Sequence, residues 1–198
     1  MANTINVINE KITRLQYEAQ GFRNAFFILY DSIMNRQGSE AWGGDGDGMS
    51  VLGTNGCFSV ELYLKFLLVE ASFSHTTISG THIATHDLYL LYDALDKTAT
   101  TYVADLEKEY SKIKYKGSYP TLKDFLKGIR EYFIEWRYAY DKGVLNINLN
   151  TLSDVLNFME KYSMVKFTPI ANVLAKNPSL TDDSQTMTLS SPDDIEKQ

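Results

Sequence analysis

The stretch "NGCFSVELYLKFLL", residues 55–68, is nearly continuous apolar sequence, yet it carries Glu61 and Lys65 in its middle. We predict a helix over residues 56–72, and a helix that is apolar on both flanks is typical of the centre of a bundle. Glu placed four residues before Lys is the favourable order on one helical face. Three interpretations follow: a buried polar network that fixes helix alignment, part of a ligand or RNA site, or a solvated pair.

The composition limits the class of protein. The chain has 198 residues, 44% of them hydrophobic, and a formal net charge of −6. We expect one domain at residues 1–176 and a disordered acidic tail at residues 177–198. The acidic balance disfavours general binding of polyanions, and we expect no DNA partner. With neither a signal-peptide core nor about 18 consecutive uncharged apolar residues, we expect a cytoplasmic protein without a membrane partner.

The residues that suggest a metal do not complete a site. A calcium loop that starts at Asp45 would place Ser50 where glycine is required. The spacings of the histidines fit zinc only if the Thr-rich segment between them were helical; they are His75, His82 and His86. A single cysteine, Cys57, excludes an intrachain disulfide and a Cys-rich zinc site. We therefore expect no metal and no cofactor.

Residues 4–36 predict one long helix. Nine apolar residues alternate at spacings of three and four, which is a heptad pattern: Ile5, Ile8, Ile12, Leu15, Ala19, Phe22, Phe26, Leu29 and Ile33. Gly21 is a weak point within it. Two interpretations stay open. The first half of an unbroken helix projects and packs on a second chain, which predicts a homodimer, or the helix breaks near Gly21 and both halves pack internally.

The remaining periodic segments are also helical, and none alternates at a period of two. Residues 37–55 contain half of the glycines and predict a loop. Further helices are expected from "THDLYLLYDAL", with Thr85 as its cap and Asp87 in its first turn, and over residues 98–114, 121–143 and 150–166. The sequence thus predicts an all-α antiparallel bundle of about five to six helices.

The segment 121–143 has the clearest amphipathic pattern and carries a cluster of cations. Lys123, Lys127, Arg130 and Arg137 lie together on one face of the predicted helix. A charged helix face is most often solvated. Four cations with no acid among them also indicate local affinity for an anion.

Three segments in chain order resemble the HEPN domains of prokaryotic toxin, defence and nucleotide-handling systems: "NGCFSVELYLKFLL", "THDLYLLYDAL" and "FIEWRYAYDKG". The resemblance covers roughly residues 20–165. It implies an antiparallel bundle of four or five helices, often paired into dimers. Members of the family that cleave RNA carry an Arg followed, after a spacer of four to six residues, by a His on a late helix. This site works without metal and is shared across the dimer.

The late-helix Arg in this chain is Arg137, and the family spacing places Lys142, Gly143 or Val144 where the His is expected. The departure predicts a non-catalytic protein, because Lys is a poor proton exchanger near neutral pH. The resemblance then implies a protein that binds RNA or a nucleotide, or pairs with a nucleotidyltransferase-like partner. The candidate ligand residues are Glu61, Lys65, Arg130, Arg137 and Tyr140. A structural dimeric scaffold and a metal-independent RNase that uses a displaced histidine, with Arg137 and His86 as catalytic candidates, remain the alternatives.

Overall fold

The structure is a computed structural model that describes residues 2–35, 47–75, 85–114, 119–136 and 148–166. Its helices are α1 (Ala2–Met34), α2 (Asp47–His75), α3 (Leu88–Thr98), α4 (Thr100–Tyr110), α5 (Leu122–Trp136) and α6 (Leu149–Lys166). Throughout these ranges the secondary structure is helical, with no strand, which confirms the all-α prediction. The proposed tail at 177–198 and the boundary at 176 lie outside the described residues. None of the described helices is long and apolar enough to cross a membrane.

Helix α2 is the centre of the fold. It contacts α1, α3, α5 and α6, and it buries residues all around its circumference: Cys57, Ser59, Val60, Glu61, Tyr63, Leu64, Lys65, Phe66, Leu67, Leu68 and Ala71. A helix without a solvent face must be surrounded by neighbours. The prediction of a central helix is confirmed.

The start of α2 was predicted wrongly. The helix begins at Asp47, so the part of the predicted loop from residue 47 to residue 55 is helical, while residues 37–46 lie outside the described ones. Glycine normally disfavours a helix interior. The added turns are stabilised by burial of Leu52 and Gly53. At Gly56, which the predicted helix already included, a Cβ would lie 2.6 Å from Leu152 Cδ2 and 3.0 Å from Phe26 Cδ2. Close packing of α1 and α6 against the glycine offsets its poor propensity.

Helix α1 runs without a break through Gly21 for 33 residues, about 50 Å. The interpretation that placed a break at Gly21 is therefore wrong. Every seventh residue of the seam is buried in this chain: Ile12, Ala19, Phe26 and Ile33. From Ile12 onward the first half consequently packs internally and does not project, whereas the side chains of Ile5 and Ile8 lie outside the described ones.

Helices α1 and α2 pack with their residue numbers running in opposite directions. The Ser59 hydroxyl donates to the Ala19 carbonyl at 2.8 Å, and the rings of Phe22 and Phe58 stack with centroids 5.2 Å apart. Phe26 lies beside Gly56. The antiparallel arrangement of the whole bundle stays a prediction.

The cap of α3 is Asp87, so the prediction of Thr85 as the cap is wrong. Asp87 Oδ1 accepts from the amides of Tyr89 and Leu90 at 3.0 and 3.1 Å. Thr85 lies two residues before the cap and instead accepts from the Asp87 amide at 3.1 Å. A carboxylate at this position also complements the positive end of the helix.

The remaining helices follow the predictions with shifted ends. Helix α4 occupies residues 100–110 within the predicted 98–114, α6 begins one residue earlier than predicted, and α5 begins at Leu122. Glu107 of α4 accepts from the amides of Leu122 and Lys123 at 2.9 and 3.0 Å, which fixes the start of α5. The last part of the predicted helix, residues 137–143, lies outside the described residues.

The contrast between two helical glycines gives a test of the packing. We expect Gly56→Ala to lower the free energy of unfolding by about 1–3 kcal/mol, because overpacking a filled core exceeds the gain in helix propensity. Gly21→Ala, whose Cβ would meet nothing within 4 Å, should raise it by up to about 1 kcal/mol. Urea denaturation curves measure both. Equal effects of the two substitutions would contradict the close approach at Gly56.

Candidate functional site

The carboxylate of Glu61 is buried and paired. Lys65 Nζ donates to Glu61 Oε1 at 2.7 Å, and the two side chains are 11% and 2% exposed. The interpretation of a solvated pair is therefore wrong. Because the two residues lie one turn apart on the central helix, the pair forms within α2 without help from another helix.

His86 joins this pair from the segment before α3. Its Nδ1 lies 3.0 Å from the same oxygen, Glu61 Oε1, while the imidazole is 51% exposed. The buried carboxylate thus orients a ring that reaches the surface. Glu61 Oε2 is buried and has no hydrogen-bond partner within the described part of the chain. We call Glu61, Lys65 and His86 the carboxylate cluster.

Cys57 lies one turn before Glu61 and is fully buried. Burial, and to a smaller extent the negative charge of Glu61, raise the pKa of its thiol well above the usual range. The thiol is therefore protonated at neutral pH and packs as a small apolar group. No group of three His, Cys, Asp or Glu side chains suited to a metal ion occurs where the structure describes the chain; His82 and the side chain of His75 fall outside it.

The residue that follows His86 links the cluster to α5. Asp87 caps α3 through Oδ1, and its Oδ2 lies 2.6 Å from Arg130 Nε. The Arg130 side chain is 43% exposed, and its terminal nitrogens have no further hydrogen bond to any described residue. One carboxylate therefore holds the start of α3 and fixes the direction of an exposed guanidinium.

Lys123, Lys127 and Arg130 form what we call the α5 cation face. Lys123 Nζ lies 5.7 Å from the ring centroid of Tyr89 and 5.9 Å from that of Tyr92, and Arg130 Cζ lies 5.8 Å from the Tyr89 ring. Lys127 is exposed and makes no ion pair in the described ranges. Lys123 and Arg130 are thus held by aromatic rings, and Asp87 is the acid that pairs with this face among the described residues.

The structure brings together four of the residues predicted for a site. Glu61, Lys65 and His86 are in direct contact, and Arg130 is joined to them through Asp87. The other two candidates, Arg137 and Tyr140, lie outside the described residues together with Lys142. The pairing of Glu61 with Lys65, which their spacing on one helical face indicated, is present.

A second polar cluster was not predicted from the sequence. Arg23 of α1 lies 3.0 Å from Glu160 of α6, donates to Asn157 at 2.5 Å, and sits 4.6 Å above the Phe27 ring. The side chains of Arg23 and Glu160 are 17% and 24% exposed. The sequence feature that pointed to this cluster is the position of Arg23 at the border of the apolar seam of α1. Nothing in the sequence identified a partner more than 130 residues away.

Comparison with known proteins gives no relative. No protein-family model matches the chain, no curated protein matches its sequence, and no solved structure matches its fold.

The burial of Glu61 can be tested by its removal. Glu61→Ala leaves the Lys65 ammonium buried without its partner, and we expect a loss of about 3–5 kcal/mol in the free energy of unfolding. Glu61→Gln keeps the shape but not the charge and should also lose more than 1 kcal/mol. Glu109→Ala is the control, because it removes an exposed pair with Lys112 and should cost under about 1 kcal/mol. Changes within about 0.5 kcal/mol for both Glu61 variants would show that the carboxylate is solvated.

Proposed function

We propose that this chain is a HEPN-type helical bundle that binds RNA or a nucleotide through the α5 cation face and the adjacent His86, without cleaving its ligand. The proposal extends to a role in a toxin or defence system beside a nucleotidyltransferase-like partner. The resemblance of three ordered segments supports the family, and the absence of His at the family spacing after Arg137 supports the lack of cleavage.

The observation that carries the proposal is the charge of the α5 cation face. The chain as a whole has a net charge of −6, so a polyanion is repelled by most of the surface and attracted by local exceptions. On this face Asp87 occupies Nε of Arg130 and leaves the terminal nitrogens available. Lys127 has no acidic partner in the described part of the chain.

The carboxylate cluster supports the same location. His86 is half exposed and directly precedes Asp87, so the surface imidazole and the carboxylate that holds Arg130 belong to one short segment before α3. A buried carboxylate that orients a surface imidazole restricts the rotation of the ring. An oriented imidazole in the same segment as the anchor of a cation is suited to a second contact with a phosphate oxygen.

A pairing of two copies forms part of the proposal. The seam of α1 gives little support for a dimer, because four of its residues are already buried within one chain: Ile12, Ala19, Phe26 and Ile33. The support comes from the outer face of α1, where the side chains of Tyr17 and Ile28 are 69% and 70% exposed. If two copies pair but bind neither RNA nor a nucleotide, the protein is a purely structural dimeric scaffold.

Binding can be tested with a fluorescein-labelled single-stranded RNA of mixed sequence and with ATP. Lys127→Ala is the sharpest variant, because Lys127 makes no described contact whose loss would disturb the fold. We expect weaker binding and a salt dependence whose slope, log K against log salt, falls by about 0.7 for the lost phosphate contact. Anisotropy titrations at several salt concentrations measure both.

Lys161→Ala is the matched control, since it removes an exposed lysine from α6 rather than from α5. It should leave affinity and slope unchanged. Failure of the wild-type chain to bind either probe at low salt would overturn the proposal and leave the scaffold. Equal losses for Lys127→Ala and Lys161→Ala would show attraction by total charge and not by this face.

A metal-independent endoribonuclease with a displaced histidine is the second candidate. The 3.0 Å contact between His86 Nδ1 and Glu61 Oε1 favours it. With Nδ1 directed at the carboxylate, Nε2 is the nitrogen suited to exchange a proton with a ribose 2′-hydroxyl. Because no His stands at the family spacing after Arg137, binding is the first proposal.

Incubation with mixed single-stranded RNAs in chelator separates the two candidates. We expect no efficient cleavage by the wild-type chain, because His is missing after Arg137. Rapid cleavage that His86→Ala or Arg137→Ala abolishes, and that chelator leaves intact, would assign the chemistry to the second candidate instead. Lys127→Ala is the comparison there, because it should affect binding more than the proton-transfer step.

A further inference from the structure

The α5 cation face differs from a surface that reads nucleobases. Base recognition uses open aromatic rings for stacking, or paired donors and acceptors such as Asn and Gln amides at base edges. Arg and Lys can donate to guanine, but they offer no acceptor for the amino groups of adenine or cytosine. Neither α3 nor α5 contains an Asn or Gln. The groups that this face presents are the nitrogens of Lys123, Lys127 and Arg130, which only donate.

The aromatic rings of this face are already occupied. Lys123 and Arg130 lie seven residues apart on α5, about 10 Å along the helix, and both approach the Tyr89 ring to within 6 Å of its centroid. Because two cations already approach this ring, a base that stacked on it would compete with them. Tyr92 is 2% exposed, and its hydroxyl donates to Glu107 at 2.5 Å.

We propose that the α5 cation face is a phosphate site that is indifferent to the base, an inference that rests on the proposed binding of RNA or a nucleotide. The terminal nitrogens of Arg130 and Nζ of Lys127 hold the phosphate oxygens. Asp87 is a positioning residue, since its contact is with Nε and leaves the two terminal nitrogens of the half-exposed guanidinium without an acidic partner among the described residues. The ligand class is a phosphomonoester, an oligophosphate or a phosphodiester backbone.

This assignment gives the site a specific selectivity. Affinity increases with the number of adjacent phosphates, because each added contact with a cation releases counterions. The identity of the base contributes little, since the described face offers neither an open ring nor an amide to read it. Inorganic tripolyphosphate therefore competes with RNA for the same nitrogens.

The experiment uses the full chain and a labelled twelve-nucleotide oligouridine. Oligoadenosine and oligocytidine of the same length should bind within about twofold of oligouridine. Tripolyphosphate should displace the label within about threefold of the concentration needed for ATP, and adenosine should fail at about a hundredfold excess. Lys127→Ala should weaken all phosphate-bearing probes by one common factor, whereas Lys161→Ala should not.

Three results separate the outcomes. Displacement by adenosine, or a preference of more than about tenfold for one homopolymer, would overturn the phosphate assignment while leaving RNA binding intact. Failure of every RNA and of ATP to bind would overturn the proposed function itself.

The role of Asp87 is tested by Asp87→Asn, which keeps a competent helix cap but weakens the contact with Arg130. This variant should lower the affinity for tripolyphosphate without a loss of helical content. Unchanged affinity would show that Asp87 does not position the site.

Discussion

The burial of one carboxylate, Glu61, is the constraint on which the arrangement of the helices depends. Between Cys57 and Ala71 helix α2 has no exposed residue, so an acid in its middle has little access to bulk water. Lys65 satisfies the charge from within the same helix and therefore does not determine what packs around it. His86 does, because it approaches the same oxygen from another segment. The start of α3 is thereby fixed beside the midpoint of α2.

On the other side of α2, close packing at a glycine and an ion pair hold α1 and α6 in place. Gly56 lets Phe26 of α1 and Leu152 of α6 approach the backbone, and the ion pair between Arg23 and Glu160 bridges the same two helices. The missing side chain at Gly56 lets the three helices approach, and the ion pair between Arg23 and Glu160 joins α1 to α6. The central helix is thus held by apolar contact all around and by polar contacts on two sides.

Sequence patterns predicted the features that depend on local periodicity. The seam of α1 follows from spacings of three and four, and the pairing of Glu61 with Lys65 follows from their separation by one turn. The start of α2 was missed because Gly48 and Gly53 were interpreted through their low helix propensity, whereas burial of Leu52 and Gly53 in the core stabilises these turns. The link from Arg23 to Glu160 is long-range and leaves no periodic signal.

The candidate site shows the same division. The sequence indicated affinity for an anion at the cations of α5, and it named His86 as a catalytic candidate. What it lacked was Asp87, a residue that it treated as a contribution to the charge of the helix end. In the structure Asp87 divides its two oxygens between the cap of α3 and Nε of Arg130.

This double use of one side chain connects stability to the proposed site. The Asp87 carboxylate accepts from the first amides of α3 and also restricts the rotation of the Arg130 guanidinium. The proposed site is therefore held as rigidly as the start of the helix. His86 lies immediately before it and is held by Glu61 from inside the core. The surface groups of the site are therefore positioned by two carboxylates, one buried in α2 and one at the start of α3. Any change that shifts α3 relative to α2 must also move Arg130 and His86.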